Sequence, residues 1–394
     1  MSYLLGMIGL FVTLGLAFLI SSNKKAIKLK PLIVMFVLQL VLGFVLLRTT
    51  FGTAVVSVLA KMFDHLLAFA GQGVDFVFAG VANKGSAPFF LSVLMPIVFI
   101  SAIIGILRYI KILPLFMKAV GLGLSKINGM GKLESYNGVA SAILGQSEVF
   151  ISIKKELPFL SEKRLFTMSV SAMSTVSMSI VGSYMALIDS KYVITALVLN
   201  LFGGYILASI VNPYVVLEEK EDELIIEENK EQTFFQMLGE YILDGFHVAI
   251  TVAAMLIGFV ALIAMINAIF HGIFGITFQE ILGYIFAPLA FISGIPWKEA
   301  VDAGSIMATK LVTNEFVAMT ELANGHFHFT ERTTAIISVF LVSFANFSSI
   351  GIISGAMKGL NEEKGNLVAK HGLKILLTAT LVSFLSAIVT GLLV

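Results

Sequence analysis

Eight apolar runs, each about long enough to cross a lipid bilayer as a helix, dominate this chain. A bilayer core of about 30 Å needs roughly 20 mainly apolar residues in helical form. The runs are 2–20, 32–50, 88–107, 164–188, 192–212, 245–270, 333–357 and 372–393. Only 13% of the 394 residues are charged, whereas soluble domains carry roughly 25%. The sequence therefore predicts an all-α polytopic membrane protein with eight transmembrane helices.

The charge balance and the lack of cysteine exclude several classes of protein. The formal net charge is +1, so no basic surface is available for a nucleic acid and none is expected as a partner. The chain contains no Cys, which excludes disulfides, thiolate metal sites and a cysteine nucleophile. The expected surroundings are a lipid bilayer, with no metal and no organic cofactor.

Three further apolar stretches are interrupted by polar residues. The first, 53–82, carries scattered charged side chains, which is typical of an amphipathic helix lying in the membrane interface. The other two, 113–160 and 279–325, contain glycines, polar residues and an acidic residue at mid-segment. We predict that these two are re-entrant hairpins, which enter the membrane and leave it on the same side.

The distribution of basic residues predicts the orientation of the chain. The loop SSNKKAIKLK after the first run carries four lysines, so it is assigned to the cytoplasm. Of the 26 Lys and Arg residues, the resulting arrangement leaves these outside: Arg48, Lys61, Lys84, Lys191, Lys298, Lys310 and Arg332. The asymmetry predicts a multi-pass protein of the cytoplasmic membrane with both termini outside.

The chain after the third run contains an internal repeat. Each copy has a broken segment, a polar-rich run and an apolar run: 113–160, 164–188 and 192–212, then 279–325, 333–357 and 372–393. Matching polar signatures recur, namely GQSE (145–148) and STVSMS (174–179), then TNE (313–315) and SFANFSS (343–349). The two hairpins enter from opposite sides, which makes this an inverted repeat, the architecture of secondary transporters. The acidic run 217–232 between the copies is predicted to be a solvated linker.

Glu148 and Glu315 are the leading candidates for functional residues. A carboxylate at membrane depth is costly and usually marks a functional site. Non-helical backbone at that depth needs partners from protein or from a water-filled cavity. The hairpin tips therefore predict a polar pocket that suits a polar, neutral solute and a coupling cation.

Structural roles for the same polar residues remain open. Each carboxylate has an alternative role in a salt bridge with Lys132, Lys154 or Lys310. Gln146 and Asn346 also suit hydrogen bonds between helices. The hydroxyl groups are able to bond back to carbonyls of their own helix; these are Thr175, Ser177 and Ser179. The six histidines lie near the ends of runs or in loops, where a structural or surface role is expected.

Three other functions match parts of the pattern. The tetrad 145–148 resembles the surroundings of a nucleophilic serine, but such a serine needs a base within hydrogen-bond reach, and no His lies in the middle of a run. An ATP-driven pump is disfavoured because the phosphate-binding pattern GxxxxGK[ST] is absent. A passive channel would also have inward-facing polar residues, although hairpins in an inverted repeat favour a carrier.

The polar signatures resemble those of a known family. GQSEVF, NEFVAM, SFANFSSIGI and SAMSTVSMSIVGSYM resemble the concentrative nucleoside transporter family, above all its bacterial NupC-type branch, over essentially the whole chain. The resemblance implies a homotrimer that moves its substrate like an elevator. It implies scaffold parts at 1–110 and 244–275, transport parts at 111–216 and 276–394, and a linker at 217–243.

The resemblance also implies roles for individual residues. By motif position, Gln146, Ser147 and Glu148 contact the nucleobase, and Ile180 and Phe344 line its pocket. Glu315, Asn346 and Ser349 bind the ribose hydroxyls. The substrates implied are nucleosides, with pyrimidine nucleosides such as uridine favoured and adenosine a further candidate.

One departure from the family pattern concerns the coupling ion. Sodium-coupled members have an Asn four residues before the hairpin Gly, where this chain has Ser141. The remaining ligands of a sodium ion would come from the Thr175 hydroxyl and the Val176 carbonyl. The departure favours proton coupling, with Glu148 as the proton carrier, and leaves sodium coupling as the alternative.

Overall fold

The computed structural model describes residues 2–78, 88–214, 232–325 and 327–394, and its regular structure in these ranges is helical. The helices are α1 (Ser2–Leu19), α2 (Leu29–Arg48), α3 (Thr50–Val77), α4 (Pro96–Tyr109), α5 (Ile112–Ser125), α6 (Lys132–Leu144), α7 (Glu148–Ile151), α8 (Glu162–Ser174), α9 (Met178–Met185), α10 (Ser190–Val211), α11 (Phe234–Phe274), α12 (Phe278–Ile292), α13 (Trp297–Val312), α14 (Glu315–Ala323), α15 (Glu331–Leu341), α16 (Phe347–Leu360) and α17 (Glu362–Leu393).

The predicted class, an all-helical polytopic membrane protein, is confirmed. Within the described residues, seven helical stretches are long and apolar enough to span a membrane: Leu29–Arg48, Thr50–Val77, Phe90–Tyr109, Glu162–Met185, Ser190–Val211, Phe234–Phe274 and Glu362–Leu393. The predicted run 2–20 forms the shorter apolar helix α1, and the run 333–357 forms two helices, α15 and α16, with a break between them. Helix α3 passes the same test of length and composition, so its interfacial placement stays a prediction.

Each predicted hairpin segment contains one more helix than a simple hairpin needs. The segment 113–160 forms α5, α6 and α7, and the segment 279–325 forms α12, α13 and α14. Helices α12 and α13 are bent by 117° with respect to each other. The bend falls at Gly294, which has a φ of +96°, followed two residues later by Pro296 at the start of α13.

Helix α11 is longer than the sequence pattern predicted. It begins at Phe234 because Thr233 and Gln236 form a capping box, in which each side chain bonds to the backbone N–H of the other residue. The last ten residues of the range assigned to the linker, 217–243, are therefore helical. The acidic run itself lies outside the described residues, apart from its last position.

Burial separates a packed centre from a peripheral group of helices. In the Glu162–Met185 stretch, which contains α8 and α9, 94% of the most apolar window is buried, against 11% in α11. Helices α10 and α17 are also mostly buried, whereas α2 and α3 are mostly exposed. Helices α8, α9, α10 and α17 thus lie in the packed centre, and the peripheral helices α2, α3 and α11 present apolar surface outward.

Candidate functional site

The two broken helices meet at their breaks. The break between α8 and α9 and the break between α15 and α16 are joined by a hydrogen bond from the backbone N–H of Phe344 to the Thr175 carbonyl oxygen, 3.2 Å long. The side chain of Asn200, on α10, donates to the Val342 carbonyl oxygen at 2.5 Å. Unwound backbone in an apolar environment needs such partners, so the two repeats stabilise each other's breaks.

Three helices begin at this meeting point, and each begins with a polar cap. The Ser177 hydroxyl accepts from the Ser179 N–H at the start of α9. The Asn314 side chain accepts from Val317 N at the start of α14, and the Asn346 side chain accepts from Ser349 N at the start of α16. Helix N-termini carry partial positive charge. Their convergence creates a region that favours acceptor oxygens and carboxylates.

The first tip loop, residues 145–147, depends on a glycine. Gly145 has φ +109° and ψ 175°, a conformation that is essentially confined to glycine. A Cβ atom at this position would lie 2.8 Å from Glu148 Oε2 and 3.1 Å from Ser177 Cβ. The glycine therefore allows the tip to pack against the start of α9.

Replacing Gly145 by Ala is expected to destabilise the tip. The unfavourable backbone conformation alone costs about 1–3 kcal/mol, and the contact with Glu148 adds to it. The thermal unfolding temperature of the purified variant should fall, whereas Gly123→Ala, where a Cβ meets no atom within 4 Å, should change it little. An unchanged unfolding temperature for Gly145→Ala would contradict the described tip geometry.

A cavity of about 330 Å³ lies between the two tips and the two breaks. Its volume lies in the range of about 300–1,000 Å³ typical of small-molecule sites. Its lining includes all eight residues to which the sequence assigned substrate contacts: Gln146, Ser147, Glu148, Ile180, Glu315, Phe344, Asn346 and Ser349. A larger cavity of about 420 Å³, beside the end of α14, contains none of them.

Glu315 is held in a network of neutral donors. The carboxylate accepts from the Tyr184 hydroxyl at 2.8 Å and from Asn346 Nδ2 at 3.1 Å. The side-chain oxygen of Asn346, Oδ1, in turn accepts from Ser349 N at 3.0 Å and from the Ser348 hydroxyl at 2.6 Å. These contacts fix the orientation of the amide. They leave acceptor capacity on the carboxylate for hydroxyl groups of a ligand.

Two further polar atoms at the cavity have no partner within the described part of the chain. They are Gln146 Oε1 and Ser349 Oγ, and both are buried. A buried polar atom without a hydrogen bond is costly, so these atoms are suited to receive a ligand. Glu148, by contrast, is exposed and lines the same cavity. The site thus offers acceptors on both tips.

The residues predicted to hold a sodium ion lie outside the lining of this cavity. Ser141 donates to the Asn137 carbonyl oxygen at 2.7 Å, and Thr175 donates to the Ser171 carbonyl oxygen at 3.0 Å. Both hydroxyls therefore bond back to a carbonyl group of their own helix, which was the structural role expected for Thr175 as an alternative. Each hydroxyl oxygen still has a lone pair available. Val176 is fully buried beside them.

The sequence missed several residues of the site. Tyr184 was not singled out, because a buried Tyr in an apolar run resembles ordinary core packing. His247 was assigned a structural or surface role, yet it lines the cavity from α11, together with Val248 and Thr251. The helical period of α11 places these residues on one face, which is the signal that would have identified them.

The predicted position of Lys310 on the outer side is wrong. The side chain is fully buried and bonds to α15, the break after it and α17. Lys310 also forms no salt bridge with Glu315 in the described part of the chain. The Glu315 oxygens accept from Tyr184 and Asn346 instead.

Comparison with known proteins agrees with this fold and identifies the family of membrane transporters to which the chain belongs. Family models described as "Na+ dependent nucleoside transporter" match residues 192–391 (C-terminus) and 8–81 (N-terminus), and one described as "Gate: Nucleoside recognition" matches 90–191. The chain belongs to this family of nucleoside transporters, and it is not an enzyme.

Relatives resemble the chain along its full length. It is 37% identical to the purine nucleoside transport protein NupG of Bacillus subtilis, with 100% of both chains covered. It is 31% identical to the nucleoside permease NupC of Helicobacter pylori, with 99% of this chain and 98% of the relative covered. The structure of CNTnw in an inward-facing substrate-bound state superposes with a TM-score of 0.94 at 31% identity, covering 100% of this chain and 98% of that one. The NupC-type resemblance is confirmed.

Proposed function

We propose that this protein imports nucleosides across the cytoplasmic membrane and couples their uptake to the proton gradient. The observation that carries the proposal is the cavity between the tips, in which a carboxylate held by an amide lies near buried acceptor atoms that have no partner among the described residues. Such a set of groups suits a neutral solute with vicinal hydroxyls and a heterocyclic edge.

The two tips divide the recognition of the nucleoside between them. Glu315 and Asn346, with Ser349, bind the ribose hydroxyls. Gln146, Ser147 and Glu148 contact the base, directly or through water, and Ile180 and Phe344 pack against it. The amide of Gln146 has both donors and an acceptor, and the edge of uracil needs both, so uridine is the first ligand that we propose.

Replacing Gln146 by Ala is expected to weaken uridine binding. A neutral hydrogen bond contributes about 0.5–1.5 kcal/mol, so the dissociation constant should rise roughly 2- to 12-fold. The measurement is uridine titration of the purified protein in detergent, with Gln236→Ala, an amide at the start of α11 and outside the cavity, as control. Normal binding by Gln146→Ala would place the base elsewhere.

Purine nucleosides are the second candidate substrates. The observation that favours them is the 37% identity to a protein named as a purine nucleoside transporter. The Gln146 amide also matches the donor and acceptor edge of adenine or hypoxanthine. Competition of uridine, adenosine and inosine for the same site decides between pyrimidine and purine nucleosides. If pyrimidine nucleosides are the substrates, uridine should bind most tightly.

The residues at the first tip support coupling to protons. Ser141 offers one short hydroxyl where sodium-coupled members have an Asn, whereas Glu148 faces the cavity and is able to take up a proton beside the substrate. Sodium remains the second candidate, because the family models carry that name and the Ser141 and Thr175 hydroxyls retain free lone pairs. A sodium ion would then bind between these two residues and the Val176 carbonyl.

The origin of the residues that line the cavity supports transport by an elevator motion. Residues of the two tips, of the two breaks and of α9, α14 and α16 form most of the wall, whereas α11 closes one side with His247, Val248, Thr251, Val252 and Met255. We assign α11 to a static scaffold and the other walls to a moving unit. The family resemblance supports a homotrimer, and the basic loop after α1 supports the orientation with both termini outside.

A further inference from the structure

Lys310 is a buried cation that the proposed site does not use. It lies on α13, four residues before Asn314 at the second tip, and its side chain is only 1% exposed. It does not line the cavity. A buried charge is costly unless hydrogen bonds and opposite charge compensate it, so its surroundings must provide both.

The hydrogen bonds around Lys310 suit the charged form of the amine. Its Nζ donates to the Phe340 carbonyl oxygen at 2.6 Å and to the hydroxyls of Ser343 and Ser383 at 2.7 and 3.1 Å. The Ser383 hydroxyl donates to the Ala379 carbonyl oxygen, and the two serines bond to each other at 2.8 Å. With this arrangement of the hydroxyls, an ammonium group, which has three protons to donate, makes all three bonds.

These contacts lie where α15 ends. Phe340 is in the last turn of α15 and Ser343 is in the break that follows. The last carbonyl groups of a helix have no partner within it and carry partial negative charge. The ammonium of Lys310 therefore compensates the open end of α15, and it ties that end to α17 through Ser383.

The first repeat has no such cation at the corresponding place. Ser141 lies four residues before Gly145, as Lys310 lies four before Asn314. One turn earlier on the same helix, Asn137 is fully buried, and its Oδ1 has no partner among the described residues. The first repeat thus retains a free acceptor, whereas a lysine occupies the acceptors of the second.

Lys310 also compensates the charge at the second tip. Glu315 follows it by five residues and is buried, and its hydrogen-bond donors are neutral. An ammonium on Lys310 attracts the carboxylate of Glu315 and so favours its ionised form. Lys310 thus supplies the positive charge that a buried, ionised carboxylate needs.

We propose that Lys310 is a tethered cation of the second repeat, which holds the break after α15 and compensates Glu315. Lys310 is a positioning residue in this account, since it acts on the ligand through Glu315 and the break. The inference rests on the proposed nucleoside binding only where uridine is the readout. Its structural part is testable without substrate.

The experiment is chemical rescue of Lys310→Ala. The atoms removed correspond to propylammonium, so we expect this ion to raise the thermal unfolding temperature of Lys310→Ala and to restore uridine binding, which the variant weakens about tenfold or more. Choline chloride at equal concentration should do neither. Lys310→Met keeps the length but not the charge, and we expect it to be impaired without rescue. Met307→Ala, equally buried on the same helix, is the packing control and should not respond.

Each outcome separates this inference from the proposed function. Rescue by propylammonium, or by Na⁺ in its place, supports a cation at this position. Wild-type stability and binding in Lys310→Met, or equal rescue by choline or of Met307→Ala, would overturn it. If the wild-type protein binds no nucleoside, the proposed function fails, whereas the unfolding temperatures still test the tethered cation.

Discussion

Replacing Glu315 by Gln is expected to weaken uridine binding by roughly 10- to 150-fold, because the loss of a hydrogen bond to a charged group costs about 1.5–3 kcal/mol. The carboxylate has two neutral donors from the protein and keeps acceptor capacity for the ribose hydroxyls. An amide has one acceptor oxygen fewer. Titration calorimetry of the purified variant measures the effect.

The ligand itself supplies the sharpest control for this variant. A dideoxynucleoside lacks the vicinal hydroxyls, so Glu315→Gln should weaken its binding much less than that of uridine. Glu321→Gln changes the next acidic residue of the same helix, which bonds to Gln279 outside the cavity, and should leave both ligands nearly unaffected. Equal loss for both ligands in Glu315→Gln would contradict the assignment of this residue to the ribose.

Replacing Glu148 by Gln is expected to abolish uptake driven by a proton gradient while exchange of substrate persists. A protonated Glu148 with bound nucleoside crosses the membrane as a neutral unit, whereas a carboxylate charge moved to membrane depth would cost several kcal/mol. The loaded form must be protonated on the outside, so uptake by the wild-type protein should rise as the external pH falls. Glu148→Gln should lose this dependence, because the amide does not titrate.

Vesicle transport assays measure both parts of that prediction. Counterflow of uridine against unlabelled uridine should survive in Glu148→Gln, and accumulation in response to an inward proton gradient should vanish. Glu363→Gln, an exposed carboxylate at the start of α17, should retain both activities. Proton-driven accumulation by Glu148→Gln would show that another group carries the proton.

The polar signatures predicted the cavity well, because polar residues at membrane depth have few roles open to them. The pairs GQSE and TNE placed both tips, and the clusters STVSMS and SFANFSS placed both breaks. The apolar runs predicted most of the long helices, because about 20 apolar residues are needed to cross the bilayer core as a helix. Helix α11 extended beyond its prediction, since its start is set by the Thr233–Gln236 capping box and not by hydrophobicity.

The residues that escaped prediction are those whose role depends on tertiary contacts. Lys310 was counted as an outer-side charge, because a lysine near the edge of an apolar stretch is usually solvated. Its burial depends on acceptors from α15 and α17, which lie 30 and 73 residues away in the chain. The Tyr184 hydroxyl donates to the Glu315 carboxylate, 131 residues away in the chain. Contacts between residues so far apart in the chain produce no periodic pattern in the sequence.

The most direct test of the account is uridine uptake by the purified protein in liposomes, with proton and sodium gradients imposed separately. The account predicts that an inward proton gradient at negligible Na⁺ drives uridine above its external concentration, and that an inward sodium gradient at equal pH does not. Accumulation that requires Na⁺ and ignores the pH gradient would contradict proton coupling and place the ion at Ser141 and Thr175. The absence of uridine uptake under every gradient would contradict uridine as the substrate.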